Sequence, residues 1–411
     1  ESCASCDAGY DGATCDDCVS TRIKHDGICQ DCDPASKYFS LTSSYSVGTN
    51  KYEGTTCSDV SDCETQCTAD NVCQGYTSQV IGPTFSSVGD KKQWYSIASS
   101  ADGTKLAAGV ARGNIWTSSD GGASWNEDTS VGTTYWWADI TSSSDGTKMA
   151  AVSRIYNGAG GNIWTSSNSG ASWTVDTSIG SAKNFYGITS SADGTKLTAV
   201  VYGGKIWTSS NSGATWTEDT STFNTATKAW FSITSSADGT KLAAAANNDQ
   251  IFISSNSGTT WNGVNLGIGQ NTKNWRDITM SDDGMKIAAV EASDNKIWTN
   301  SNGGNGAWAD VSVSTTATWT SISSSADGTK LVAVGGSSST LGDIWTSSDS
   351  GASWTNDNSP EQDQYQGSAI TADGMKIIVV AYGNNDIRIG EYAYSLAYGA
   401  KATVTSFSTI K

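Results

Sequence analysis

The sequence predicts an all-β protein: a seven-bladed β-propeller of four-stranded antiparallel blades, preceded by a small disulfide-rich head. Three observations predict it. A turn written Asp-Gly-x-Lys recurs at Asp102, Asp145, Asp193, Asp238, Asp283, Asp327 and Asp373, in steps of 43, 48, 45, 45, 44 and 46 residues. A second, polar turn ending in tryptophan recurs six times with the same period, as in "SSNSGASW" at 166–173. All ten cysteines lie between Cys3 and Cys73. A period of 40–50 residues with several short strands per unit is a propeller pattern, since one such unit cannot bury its apolar faces alone.

One unit reads "FYGITSSADGTKLTAVVYGGKIWTSSNSGATWTEDT". "FYGITSS" alternates and is rich in strand formers. "ADGT" holds an Asp-Gly pair, a hairpin signal because both central residues tolerate positive φ. "KLTAVVY" is a second strand, apolar on both faces. "KIWTSS" is a third, and a fourth begins at Trp216. Four antiparallel strands make one blade.

The polar turn carries Asp120, Asn168, Asn211, Asn256, Asn302 or Asp349, a Gly two places on, and a closing Trp125, Trp173, Trp216, Trp261, Trp308 or Trp354. The Asx side chain can bond backbone N–H groups within the turn, and the Gly relieves a positive φ. Asn keeps that role without the charge, which favours structure over metal binding. All seventeen tryptophans follow the repeat. Trp94, Trp136, Trp230, Trp275 and Trp319 open units, and Trp137 doubles its neighbour. Trp116, Trp164, Trp207, Trp298 and Trp345 sit in third strands, and six close the polar turns. Repetition at blade positions argues for packing rather than sugar stacking.

The seventh unit has neither polar turn nor Trp, and continues into "AYSLAYGAKATVTSFSTIK". That tail either completes the last blade or reaches another subunit. The predicted domains are therefore 1–34 and 35–80, both cysteine-rich, the propeller at 81–392, and the tail at 393–411.

Cys3, Cys6, Cys15, Cys18, Cys29, Cys32, Cys57, Cys63, Cys67 and Cys73 read as five disulfides formed in an oxidising compartment. The Cys-x-x-Cys pairs at 3/6, 15/18 and 29/32 also have zinc-ligand spacing, but the remainder of the chain has a secreted character. His25, the one histidine, reads as a solvated loop residue. Acids outnumber bases 41 to 24, and 13 of those acids fall in the first 80 residues. Such a chain is repelled by nucleic acid and by anionic membranes. No apolar run approaches the roughly 18 residues of a membrane span. The start at Glu1 reads as a mature or trimmed product. No Asn-x-Ser/Thr acceptor occurs among 25 asparagines, which excludes N-glycosylation of that kind and leaves O-linked sugar on Ser and Thr open.

The polar turn resembles the Asp-box, Ser-x-Asp-x-Gly-x-Thr-Trp, of BNR-type β-propellers. "CDAGYDGATC" at 6–15 resembles the end of an EGF-like module, and that resemblance implies a Cys6–Cys15 bond. "CSDVSDCETQCTADNVCQGYT" at 57–77 resembles part of a PAN/apple-like module, which implies Cys67–Cys73. The cysteine-rich head followed by these repeats resembles the mastigoneme proteins, the tubular flagellar hairs of stramenopile algae.

Sialidases share the BNR-type fold, but they need three clamping arginines and a Tyr–Glu nucleophile. The expected propeller has Arg112, Arg154, Arg276 and Arg388, without the Phe-Arg-Ile-Pro segment. Glycosidase chemistry needs two carboxylates about one bond, and the repeating acids are accounted for as turns. The expected function is a non-catalytic, cofactor-free extracellular structural protein. It would be a filament subunit whose partners are copies of itself, held through head and tail. The alternative is a secreted glycan- or protein-binding propeller, although the Ser/Thr/Gly/Asn-rich connections show no distinctive pocket.

Overall fold

The computed structural model of the chain describes residues 22–25, 28–31, 56–57 and 76–398. Within that last range 132–134, 157, 159, 181, 221–226, 268–270, 314–317, 337–340 and 358–362 are excepted, and 76–81, 384–386 and 393–398 are described by backbone alone. The chain divides into two compact units. One comprises Glu1–Gly54, Cys67–Thr77 and Ala397–Lys411. Its described part is chiefly a hairpin, Arg22–His25 against Ile28–Asp31, with His25 opposite Ile28. The expected disulfides lie outside the described residues; Cys29 and Cys57 enter by backbone only.

The other unit, Thr55–Gln66 with Ser78–Leu396, contains the repeats. The described residues are all β, without a helix. Repeat three is representative. Phe185–Ser190, Leu197–Gly204, Ile206–Ser209 and Thr217–Glu218 pair in sequence order, antiparallel throughout. The second strands are the most deeply buried, as in Leu331–Gly335, buried along its whole length. That burial accounts for their near-continuous apolar sequence.

Seven apolar cores hold the repeats together, each shared by two successive repeats. Ala138, Ala150, Val152 and Ile163 of repeat two, for example, pack with Phe185, Ile188, Leu197 and Ala199 of repeat three. One core joins the last repeat to the first: Ile378, Val380, Ile387 and Ile389 pack with Trp94, Ile97, Leu106 and Ala108. The aromatic that opens each first strand anchors these cores. Trp94, Trp137, Phe185, Trp230, Trp275, Trp319 and Tyr365 are at most 1 % exposed. In repeat two this place belongs to Trp137, not to Trp136 as the pattern predicted. Trp137 lies opposite Ser153, one step further into the strand than the Trp136–Arg154 pair.

The Asp-Gly turns make a second cycle. Ala101 donates its N–H to the carbonyl of Ser144, and that step repeats through Ala192, Ala237, Asp282, Ala326 and Ala372. Ala372 then donates to Ala101 at 2.9 Å. The turns differ from the two-residue hairpin expected from Asp-Gly. Ser190 is the last paired residue before the turn and Leu197 the first after it, so six residues intervene. Gly194 takes the left-handed φ of +67°, whereas Asp193 does not. The aspartate works instead as an acceptor, receiving Ser191 Oγ at 2.6 Å and Thr195 N at 2.9 Å. A Cβ on Gly194 would stand 2.8 Å from Lys148 of the preceding repeat. Both conformation and close approach therefore require glycine there.

The seventh repeat is completed from the far end of the chain. Its strand Lys376–Tyr398 pairs with Tyr76–Ser99, which goes on to become the first strand of repeat one. Ser86 Oγ donates to Ile389 O, and the Phe85 ring closes on Gly390. The strand beside the third strand of the last repeat is thus Tyr76–Ser99, and residues 399–411 lie outside the described residues.

Candidate binding site at the channel mouth

Every first strand carries a β-bulge at the same place. The register shifts between Trp94 and Ser96, Trp137 and Asp139, Phe185 and Gly187, and Trp230 and Ser232. It shifts again between Trp275 and Asp277, Trp319 and Ser321, and Tyr365 and Gly367. A bulge re-aims the extra residue. The seven extra residues are Tyr95, Ala138, Tyr186, Phe231, Arg276, Thr320 and Gln366, and all seven line one cavity of about 220 Å³. The cavity thus has a wall from every repeat.

Register also fixes which end of the repeats this is. In repeat two Trp136 lies opposite Arg154, while Ser142 lies opposite Met149 across the Asp-Gly turn. The bulges therefore sit away from the turns, at the opposite ends of the strands. At this mouth end the side chains form an arginine–aromatic cluster. The Arg154 guanidinium lies 3.8 Å from the Tyr186 ring centre and 4.9 Å from that of Tyr95. Tyr186 stacks on Tyr202 at 4.9 Å, and Phe231 meets both edge-on. Arg276 covers Phe231 at 4.9 Å. Arg112 covers Tyr156 at 4.3 Å and Trp136 at 5.5 Å, and Trp136 stacks on Tyr382. Arg388, the fourth arginine of the expected propeller, is instead buried against Tyr365.

None of Arg112, Arg154 and Arg276 is in an ion pair or hydrogen bond among the described residues. In a chain of net charge −17 that is unusual. Ring faces hold the guanidiniums through the quadrupole and leave their N–H edges unused.

Below the bulges, two aspartates occupy positions that are Ser or Gly in the other repeats. Asp139 accepts from Ile140 N at 2.9 Å and from Ile188 N of the next repeat at 2.9 Å. Asp277 accepts Ser232 Oγ at 2.6 Å, Ile278 N at 2.9 Å and Ile322 N at 2.8 Å. Each ties its repeat to a neighbour. They border the cavity but lie deep among protein atoms. Burial pushes Asp139 up to about 7, and Asp277 adds to this while the backbone bonds oppose it. Burial raises Asp277 as well.

The polar turns lie at the ends of the third strands, on the Asp-Gly side. Asn168 Oδ1 accepts Ser166 Oγ at 2.9 Å and Ser172 N at 3.0 Å. Asn211 and Asn256 repeat this, each bonding the backbone four residues on. Asp120 and Asp349 do the same with Ser124 N and Ser353 N at 2.8 Å. Two successive left-handed residues follow, Ser169 at φ 57° and Gly170 at 79°. The sequence pointed to the glycine and missed the serine. In the degraded copy Asn300 takes the place of the serine, its Oδ1 accepting from the N–H of Asn302 and of Gly304 as Ser166 Oγ accepts from Asn168 and Gly170. Trp125, Trp261, Trp308 and Trp354 donate Nε1 back to a turn carbonyl, while Trp173 and Trp216 pack in the core shared by their side of the repeat. A smaller cavity of about 130 Å³ lies on this side, lined by Lys148, Ser166, Ser172 and Ser212 among others. Among the described residues no three His, Cys, Asp or Glu side chains cluster as a metal would need.

A cavity with a wall from every repeat stands at these bulges. Its residues come from a strand position rather than from the connecting loops, which is where the sequence reading looked for a pocket.

No family model matches the chain, and no curated protein sequence matches it. Solved structures do. YCF48 bound to D1 peptide is similar at a TM-score of 0.58 and 14 % identity, over 76 % of this chain and 97 % of that one. YCF48 from Cyanidioschyzon merolae is similar at 0.55 and 12 %, over 76 % and 98 %. The GH74 xyloglucanase from Xanthomonas campestris is similar at 0.56 and 14 %, over 73 % of this chain and 53 % of that one. At such identities the likeness shows fold alone. The protein is a β-propeller.

Proposed function

We propose that the chain is a non-catalytic recognition protein: a closed, seven-bladed propeller, working outside the cell, that engages its partner at the channel mouth. Seven blades are supported by the seven shared cores and by the cycle of turn bonds returning to Ala101. The extracellular setting rests on the ten clustered cysteines. One observation carries the recognition reading. The bulged position differs in every repeat but Tyr95 and Tyr186, and all seven of its residues line one cavity. Propellers gather such variation where ligands bind, and convergent aromatic and polar groups in a concavity are the general mark of a site. YCF48, whose structure includes a bound D1 peptide, is a precedent for the fold in this role.

Catalysis is disfavoured because Asp139 and Asp277 both have their two oxygens occupied by hydrogen bonds, some of them to neighbouring repeats. Hydrogen exchange on the chain with screened peptides and glycans tests the reading. The expected result is protection confined to the strands bearing Tyr95, Tyr186, Phe231 and Arg276. Binding that leaves them unprotected overturns it. Turnover of a sialoside or β-glucan that is lost in Asp139→Asn or Asp277→Asn overturns the non-catalytic part.

The assembly reading, a filament subunit of the mastigoneme kind, is favoured by the closure of the seventh repeat. The place beside its third strand is taken by Tyr76–Ser99, which supports a role for the tail other than supplying that strand. Truncation after Tyr398 is expected to keep the fold and abolish filaments in negative-stain images. Filaments from the truncated chain sink the tail's role.

A further inference from the structure

The mouth holds three features that recognition in general does not explain. Arg154 and Arg276 border the same cavity, without a carboxylate paired to either among the described residues. Arg154 Nε and Ser96 Oγ are buried without a hydrogen-bond partner, and Ser96 is 4 % exposed on the cavity wall. Beside them Tyr202 is 41 % exposed, although its ring is backed by Tyr186 and Phe231. Ile155, adjoining Arg154 in sequence, is 42 % exposed.

The two arginines share the cavity with Asp139 and Asp277, but burial pushes both carboxyls towards the neutral form, so the positive charges are only partly offset, and an unsatisfied buried guanidinium nitrogen is costly. An oxyanion with a planar pair of acceptors relieves both, since a carboxylate matches the guanidinium fork. The backing of each arginine by a ring fixes its orientation in advance, so little side-chain freedom is lost on binding. The exposed faces of Tyr202 and Ile155 supply an apolar neighbour for the same ligand.

Net charge selects among anionic ligands. Residues 81–398 carry 28 acids against 18 bases, so charges spread along a polymer and lying outside the mouth meet a net acidic chain. A single carboxylate placed on the arginines does not meet that penalty, given a screening length of about 8 Å at physiological salt. Tyr, Trp and Arg around an apolar patch are also the composition of protein-binding hot spots.

Resting on the recognition reading above, the geometry points to a receptor for a peptide segment with one carboxylate beside an aromatic or aliphatic side chain. The carboxylate goes to Arg154 and Arg276, and the apolar side chain to the Tyr202 face. The carboxylate is either an Asp or Glu side chain or a chain end.

The experiment selects binders to the full chain from two random heptapeptide libraries, one with amidated C-termini and one with free C-terminal carboxylates. A tri-galacturonate is titrated in parallel as an acidic glycan. The expected binders carry one carboxylate next to Phe, Tyr, Leu, Ile or Val, and the library that yields them identifies its source. Replacing that carboxylate by an amide should weaken binding at least tenfold, and so should R154Q with R276Q in a chain whose thermal melt is unchanged. Y202A, away from the charge, should weaken the same peptides while sparing their dependence on the carboxylate. Peptides that bind without a carboxylate, or that ignore R154Q and R276Q, overturn the inference while leaving a peptide-binding mouth. Mouth-dependent binding of tri-galacturonate in place of peptides overturns it in favour of a glycan. If neither ligand class responds to the mouth substitutions, both the inference and the recognition reading fail.

Discussion

The two ends of the repeats are built from the same strands, yet they follow opposite rules. At the turn end one solution is copied around the cycle. A serine or threonine hydroxyl and a backbone N–H bond an aspartate, a left-handed glycine abuts the neighbour, and a lysine reaches a carbonyl of the next repeat. Lys105, Lys148, Lys196, Lys241, Lys286 and Lys330 each bond the carbonyl of the following turn's aspartate. At the mouth end the bulge is copied and its side chain is not. Backbone geometry is held constant, and chemistry is varied on top of it. The copied bonds of the first end serve stability, and on the recognition reading proposed above the varied side chains of the second select a partner.

The strongest way to break this division is a turn glycine. Gly239→Val places a branched side chain at φ +66°, 2.7 Å from Lys196. It is expected to cost about 2–4 kcal/mol in denaturant unfolding, from backbone strain and overpacking together. Arg276→Gln at the mouth is expected to stay within about 0.5 kcal/mol. If the arginine substitution is the more damaging, the division is wrong.

A smaller effect is expected from the turn aspartate. Asp238→Ala removes the acceptor for Ser236 Oγ at 2.6 Å and for Thr240 N at 2.9 Å. The expected loss is about 1–2 kcal/mol in the same assay, moderated by exposure. A neutral result means that water replaces these bonds at no cost.

The smallest expected effect is pH dependence, and the two ends should differ in sign. Hydrogen bonds from Ser143, Ser191 and Ser236, then from the backbone, hold Asp145, Asp193 and Asp238 at about 2. An unfolded aspartate titrates near 3.9. Their stabilisation is therefore full above about pH 4 and lost as pH falls towards 2. Asp139 is pushed up to about 7, with Asp277 and Arg154 as the charged groups acting on it. The folded state binds its proton more tightly, so stability is lost as pH rises from about 4 to 7. Denaturation midpoints from pH 2 to 8 should pass through a maximum near 4–5, and Asp139→Asn should flatten the upper limb. A profile that rises steadily to pH 8 contradicts the role given to Asp139.

The turn end was legible because its constraints act within a few residues. Asp193, Gly194 and Lys196 carry their meaning in four consecutive letters. Even so, the six-residue loop was hidden, since Asp-Gly equally signals a two-residue hairpin and only the register separates them. The mouth was illegible for the opposite reason. Tyr95, Tyr186, Phe231 and Arg276 lie far apart in sequence and meet only when the repeats are placed side by side. A faint signal existed. With the first six repeats aligned on the isoleucine of each first strand, the residue two places before it changes from Tyr to Ala, Phe, Arg and Thr after an aromatic and before Ser, Asp or Gly. Trp136 was misread because adjacent tryptophans satisfy the pattern equally, and strand pairing alone assigns one to the core and the other to the mouth.

The pairing of Tyr76–Ser99 with the last repeat has a consequence during synthesis. Ser86 and Ile389 are 303 residues apart, and ribosomes add on the order of 5–20 residues per second. The segment bearing Phe85 and Val88 therefore leaves the ribosome roughly 15–60 s before the strand it will pair with exists. Through that interval its apolar side chains and unpaired backbone are open to premature pairing with a neighbouring nascent chain. The polar and charged residues around them, Ser86, Ser87, Asp90, Lys91 and Lys92, are the kind that discourage such pairing. A newborn chain thus depends on that guard until its final strand arrives.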